Sequence, residues 1–387
     1  MPTPALASVS AGALAPAGGP RTFSRSDLVI ILGSAAAIVI AGIAFYAKLN
    51  SVVVFVLAAA ATAMLAALVG RCVERLGDRL GSGATGVLQS ALGNLPELFI
   101  SFFALRKGYL VVVQSAIIGS ILANLLLVLG LAFVVGGLKH GTQRFAIGRA
   151  RTTCVLMALA SAALVLPSLA AQTHSAAAHH ETALSVAVSI VLLVIFGLSL
   201  PASLRRDKNA EVESAHVAEA DASAATTEAS AHAGGHWPLW LAIALLAGAS
   251  VAAALVSDWF VDALQPAIGT LHISQAFAGL VIVAIAGNAI ENVVGIQLAL
   301  RNQADYALSV IINSPLQIAL LLAPLLVLLS FLTATTLTLV FAPLLVVAVV
   351  VAVLITSLIV LDGESNWLEG AILIALYAMI ATLFWWG

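Results

Sequence analysis

The chain has 387 residues, of which 62% are hydrophobic and 9% charged, and its mean hydropathy is +1.11. Soluble domains carry about 25% charge, so these figures exclude a soluble globule and indicate a multi-span membrane protein. A net charge of -2, with no long basic block, excludes nucleic acid as a partner.

Residues 1–27 are rich in Ala, Pro, Gly and Ser and lack the pattern of a secretory signal, so they read as a disordered cytoplasmic tail. Apolar runs of spanning length then follow: Leu28–Lys48, Val52–Gly70, Ala84–Leu105, Leu110–Gly136, Thr152–Ala171, Ala183–Pro201, Trp237–Ser257, Gln275–Leu300, Tyr306–Thr333, Leu337–Leu361 and Trp367–Trp386. At about 20 residues per span the prediction is an all-α integral membrane protein with about eleven transmembrane helices. Cys72 and Cys154 form neither a disulfide framework nor a zinc pattern and are expected to be ordinary thiols.

Sorting the loop cations onto alternate sides gives a lopsided split. One side collects Arg21, Arg25, Arg71, Arg75, Arg79, Lys139, Arg144, Arg149, Arg151, Arg205, Arg206, Lys208 and Arg301; the other collects Lys48, Arg106 and Lys107. The first side is therefore expected to be cytoplasmic, with the N-terminus inside and the C-terminus outside. No organelle-targeting segment is visible, and the expected location is the plasma (inner) membrane.

Residues 203–236 interrupt the apolar pattern with Glu211, Glu213, Glu219, Asp221 and Glu228 among Ala, Ser and Thr, a composition that reads as an acidic cytoplasmic linker. His216, His232 and His236 there, with the acids, are better read as part of a solvated hinge than as a regulatory cation sensor, and His174, His179 and His180 could form a weak metal site, but their Ala-rich outer loop offers no fixed geometry. The linker separates two similar halves. Gly93, Asn94, Glu97, Ser115 and Ser120 recur as Gly287, Asn288, Glu291, Ser309 and Ser314, each 194 positions later. The chain divides into a first helix (28–48), a five-helix set (49–202), the linker, and a second five-helix set (237–387). Because five is odd, the second set enters from the opposite face, which predicts inverted repeats and a site near the midplane.

A carboxylate inside a membrane helix costs from about 3 to more than 10 kcal/mol, so Glu97 and Glu291 require a partner or a task. Ser90, Asn94, Glu97 and Ser101 share one helix face. Gly93 and Pro96 weaken the backbone there, and a break would expose carbonyl oxygens beside the carboxylate, the hard-oxygen surroundings that Ca2+ favours. Asn288, Glu291 and Gly295, after Gly287, repeat the face without proline. Gln114, Ser115, Ser120 and Asn124 on the following helix, and Asn313, Ser314 and Gln317 in the second half, supply amide and hydroxyl groups to ligate a cation, hold the carboxylates or join helices. Asp258 and Asp262 are a solvated helix end or a cation-attracting mouth. Pro315, Pro324 and Pro343 are expected to form kinks.

Two ionised carboxylates make a divalent cation the favoured occupant, and the same pair, dehydrated and empty, favours protons. Either load neutralises the site, which predicts secondary antiport by alternating access. A Na+-coupled or Na+(K+)/H+ exchanger and a passive channel are the alternatives. There is no His-Glu-x-x-His motif, nucleophile turn or Walker A sequence, so neither an enzyme nor a pump is expected.

GNLPELFISFFALRKGYLVVVQSAIIGSILANLLLVLG resembles the first alpha repeat of the Ca2+/H+ exchanger branch of the cation/Ca2+ exchanger superfamily. GNAIENVVGIQLALRNQADYALSVIINSPLQIALLLAP resembles the second, and DGESNWLEG looks like that branch's C-terminal signature. The resemblance implies Ca2+ and H+ as cargo and no cofactor. It carries the transport-site carboxylates onto Glu97 and Glu291, with Asn94, Asn288 and polar groups of the next helices assisting. Asn292 stands where the branch commonly has His, and Leu95-Pro96-Glu97 is similar to the Na+/Ca2+ exchanger branch.

Overall fold

A computed structural model describes residues 23–80, 92–173, 176–199 and 237–386 of the protein. The helices are α1 Arg25–Tyr46, α2 Ser51–Leu80, α3 Leu95–Arg106, α4 Leu110–His140, α5 Ile147–Gln172 and α6 Ala178–Ser199. In the second half they are α7 Leu239–Leu271, α8 Gln275–Gly287, α9 Ala289–Leu300, α10 Ala304–Ser330, α11 Pro343–Val360 and α12 Trp367–Trp385. Among the described residues, nine helices are long and apolar enough to span a bilayer, and the bent α8–α9 pair makes a tenth. The expected Ala84–Leu105 span is represented by α3, because residues 81–91 lie outside the described residues, as does the linker. The protein is thus a helical multi-pass membrane protein. Cys72 and Cys154 are buried free thiols.

α1 begins at Arg25, earlier than expected, because Ser24 and Asp27 form a capping box. Asp27, assigned from sequence to a disordered tail, is instead fully buried. It accepts from Arg75 at 3.0 Å and from the Trp237 indole N–H at 3.3 Å, and Arg71 lies 3.5 Å away. Arg75 also stacks over Trp237, and Phe23 meets the same ring edge-on. This cluster ties α1 to one end of α2 and to the start of α7. At the other end of α1, Phe45 and Tyr46 pack on Trp259.

α4 is the innermost span, and three of the spans carry a π-helical turn: Ala123–Val128 in α4, Ala278–Val283 in α8 and Ile318–Leu322 in α10. Such wide turns shift the side-chain register and recur at functional sites. α4 and α8 cross backbone to backbone: a Cβ on Gly119 would overlap the Leu280 carbonyl, and one on Gly279 the Val112 carbonyl. Only glycine permits that approach.

The second motif breaks its helix although it carries no proline: the axes of Gln275–Gly287 and Asn292–Leu300 differ by 61°. The break falls at an asparagine in both motifs. Asn94 (φ -94, ψ 17) and Asn288 (φ -100, ψ 22) have the same non-helical backbone, and each stands at the N-cap position of the half-helix that follows without a side-chain capping bond. Adding 194 to Leu95 and Arg106 gives Ala289 and Leu300, the bounds of α9, and adding it to Leu110 gives Ala304, the start of α10.

A second correction concerns the tenth span, expected from Leu337. Helix α11 starts at Pro343, and residues 331–342 are non-helical although Leu337, Leu339 and Phe341 are buried. Side chains replace the missing helical bonds. Ser168 donates to Leu339 O at 3.1 Å and accepts from Phe341 N–H at 2.8 Å, and Ser185 accepts from Leu339 N–H at 2.9 Å. A third departure is a minimal sheet, in which Gln143–Arg144 pairs antiparallel with Glu364–Ser365 and Arg144 bridges Glu364 at 3.0 Å.

Candidate functional site

Four elements bring polar groups to one buried cluster beside the two helix breaks. Glu97 and Asn94 come from the start of α3, Ser120 and Asn124 from α4, Asn288 from the α8–α9 break, and Ser314 and Gln317 from α10. Burial of the carboxylate is nearly complete, at 1% exposure for Glu97, and Asn94, Ser120, Asn124, Asn288 and Ser314 are buried with it.

The Ser120 hydroxyl donates to Glu97 Oε1. Asn124 Nδ2 donates to Ser120 O at 2.9 Å and faces Asn288 Oδ1 and Ser314 Oγ, each at 3.2 Å. Ser314 Oγ donates to Asn288 Oδ1 at 3.1 Å, and Asn288 Nδ2 donates back to Ala284 O of α8 at 3.0 Å. Asn94 Nδ2 donates to Gln317 Oε1 at 3.3 Å, so each half's asparagine bonds to a side chain of the other half. Glu97 packs on the second motif's glycine: a Cβ on Gly287 would lie 3.3 Å from Glu97 Cβ. A larger residue at 287 would push the carboxylate away.

Asn124 Oδ1 has no hydrogen-bond partner among the described residues. The amide's orientation follows from its neighbours: turning it over would set Oδ1 against the Ser120 carbonyl, two acceptors facing each other. The cluster therefore presents a carboxylate, amide oxygens and hydroxyls, all hard oxygen donors of the kind that Ca2+ takes in sets of six to eight. No group of three or more His, Cys, Asp or Glu side chains occurs among the described residues. Glu291 belongs to α9, and its side chain lies outside the described residues.

Other expected site residues are placed elsewhere. Gln114 donates to Val340 O at 2.7 Å and Thr338 O at 3.4 Å, so it pins the extended segment before α11 and does not reach Glu97. Asn313 is exposed, because the helical turn that directs Ser314 and Gln317 inward points it outward. Ser101 is buried one turn beyond Glu97, with no bond from its hydroxyl to that cluster. Gly93 is half-buried at the break, and Ser90 lies outside the described residues. Gly295 packs against Ile311. Asp262 pairs with Lys107. His179 and His180 end a short 3-10 turn, while His174, His216, His232 and His236 lie outside the described residues.

A profile of the sodium/calcium exchanger protein family matches residues 50–204 and 241–386, which together hold both motifs. The chain belongs to that family. The exchanger is 35% identical over 344 residues to a Ca(2+)/H(+) antiporter of Aphanothece halophytica, covering 87% of this chain and 90% of that one. It is 35% identical over 335 residues to a Ca(2+)/H(+) antiporter of Bacillus subtilis, covering 86% and 92%. Its fold superposes on the structure of native YfkE with a TM-score of 0.76 at 32% identity, covering 92% of the exchanger and 99% of that chain. These likenesses run through both halves, so the breaks at Asn94 and Asn288 lie within the matched fold.

Proposed function

We propose that this exchanger moves Ca2+ across the membrane against protons, with Glu97 and Glu291 as the shared site for both. The observation that carries the reading is the Glu97 carboxylate, buried at the junction of two broken helices and surrounded by oxygen-bearing side chains from both halves. Relatives that match most of its length are named Ca(2+)/H(+) antiporters. Neither observation concerns a catalysed reaction, and the protein acts as a carrier.

In this mechanism Ca2+ replaces protons on the two carboxylates, while Asn94, Asn124 and Asn288 supply neutral oxygens or hold the carboxylates in place. Ser120 fixes the Glu97 rotamer. The site is electrically balanced when loaded with Ca2+ or with protons, and uncompensated when empty. Crossing the closed state with bare carboxylates would expose them to a low-dielectric interior, at several kcal/mol per charge. Loaded states cross more cheaply, so the two fluxes are coupled. Inverted five-helix repeats present the breaks alternately to each side. The bias of loop Lys and Arg supports a plasma-membrane orientation with the N-terminus cytoplasmic and the C-terminus outside.

The test is transport by purified protein in liposomes. Ca2+ uptake should follow an imposed pH gradient and ignore a Na+ gradient at constant pH. Glu97→Gln and Glu291→Gln should each abolish Ca2+-driven proton movement. Uptake driven by Na+ alone would replace the counter-ion, and full activity in either variant would remove the site.

A further inference from the structure

Away from the Glu97 cluster, a groove of about 500 Å3 runs between α3 and α7, within the range of a small-molecule site. Phe99, Phe103 and Arg106 line it from α3, at i, i+4 and i+7, a stripe separate from the face that carries Glu97 and Ser101. Val251, Leu255 and Asp258 line it from α7 with a similar spacing, beside Ser250, whose hydroxyl donates to Leu246 O, and Ala254. α3 runs from buried Glu97 to exposed Arg106, and α7, which starts at the Asp27–Trp237 cluster, brings Asp258 to the same end of the groove. The groove is thus apolar at depth and charged at its mouth.

Length places the mouth at a membrane boundary. Asp258 lies about 29 Å along α7 from Leu239, at 1.5 Å per residue, close to the thickness of a hydrocarbon core. Val251 and Leu255 are exposed on the protein surface and so meet lipid. At the mouth, Arg106 stacks on Phe103 with its guanidinium 5.7 Å from the ring centre and makes no ion pair with Asp258. One turn further out, Lys107 and Asp262 do pair and tie the end of α3 to α7. One cation and one anion thus line the same groove, each with capacity for another partner.

We propose that this groove binds a zwitterionic phospholipid with a primary ammonium headgroup, such as phosphatidylethanolamine. An acyl chain lies along Phe99, Phe103, Val251 and Leu255, the phosphate meets Arg106, and the ammonium donates to Asp258. A purely anionic lipid would seat the same phosphate on Arg106 but bring no cation to Asp258, and a bare cation would meet Arg106. A quaternary ammonium has no N–H to give the carboxylate, so phosphatidylcholine is the discriminating competitor.

The experiment is native mass spectrometry of the full-length protein with an equimolar mixture of phosphatidylethanolamine, phosphatidylcholine and phosphatidylglycerol of one chain length. Phosphatidylethanolamine should be retained about tenfold over phosphatidylcholine, the ratio that one charge-assisted hydrogen bond supplies. Asp258→Asn should erase that preference, and Arg106→Gln should lower retention of all three. Ala254→Phe, which fills the groove and leaves both charges in place, should lower retention as well and does not depend on how the charge variants fold. Equal retention of all lipids, highest retention of phosphatidylglycerol, or a preference that survives all three variants would overturn the proposal. Release of the lipid by added Ca2+, lost in Asp258→Asn, would make the carboxylate a cation mouth and overturn it too.

Discussion

Replacing Asn124 with leucine separates what this side chain holds together from what it offers to a cation. Its Nδ2 carries two hydrogens, shared among Ser120 O, Asn288 Oδ1 and Ser314 Oγ. At about 0.5–1.5 kcal/mol net per hydrogen bond, their loss should cost about 1–3 kcal/mol. The larger penalty of an orphaned buried acceptor is avoided, because Ser314 still donates to Asn288 Oδ1. Leucine is close in volume, so no large cavity opens. The variant should therefore fold and melt a few degrees lower, while losing a buried amide oxygen of the cluster that has no protein donor among the described residues. Ca2+-dependent uptake into liposomes, read as a concentration dependence, should shift by about tenfold or more toward weaker binding, the size of one cation–oxygen interaction to a polar ligand. Ser314→Ala is the control: Asn288 Oδ1 keeps its contact with Asn124, so both effects should be smaller. Unchanged Ca2+ dependence in Asn124→Leu, with the melting shift present, would make Asn124 a structural tie and refute its place among the ligands.

Asp27→Ala leaves two arginines and an indole N–H facing a void, so it should destabilise the protein by about 3–5 kcal/mol, measured by chemical denaturation in detergent. Gly119→Val forces apart the α4–α8 crossing and should abolish the monodisperse peak in size-exclusion chromatography. Gln114→Ala should leave the Ca2+ dependence of exchange intact but speed amide hydrogen exchange around Leu337–Phe341, because the released group is the one that holds Val340 O. Higher pH removes the competing protons, so the apparent affinity for Ca2+ should rise from neutral to alkaline conditions; a flat profile would contradict competition at shared carboxylates.

The spans were legible because a bilayer leaves a one-dimensional record: a helix must be apolar for about 20 residues, and interruptions stand out. Glu97, Asn94 and Asn288 stood out for the same reason, as polar groups where each needs a justification. The start of α1 was missed, because residues through Asp27 were read as tail, and the burial of Asp27 had no local signal, since its partners Arg71, Arg75 and Trp237 arrive from distant parts of the chain. Gln114 and Asn313 show the converse. Their spacing suited a shared polar face, yet one reaches an extended segment from the other half and the other turns outward.

By itself the amino-acid order determined that this protein lives in a membrane, that two motifs 194 positions apart match, and that their carboxylates cannot be ordinary core residues. Only the tertiary structure decided that both motif helices break at asparagine, proline or not, that π turns accompany the site, and that Asn124 connects the halves. Hydropathy and spacing depend on each residue's own transfer cost. Breaks, wide turns and cross-half hydrogen bonds depend on which backbone and side-chain groups meet in three dimensions, and in a medium without water those groups must satisfy one another.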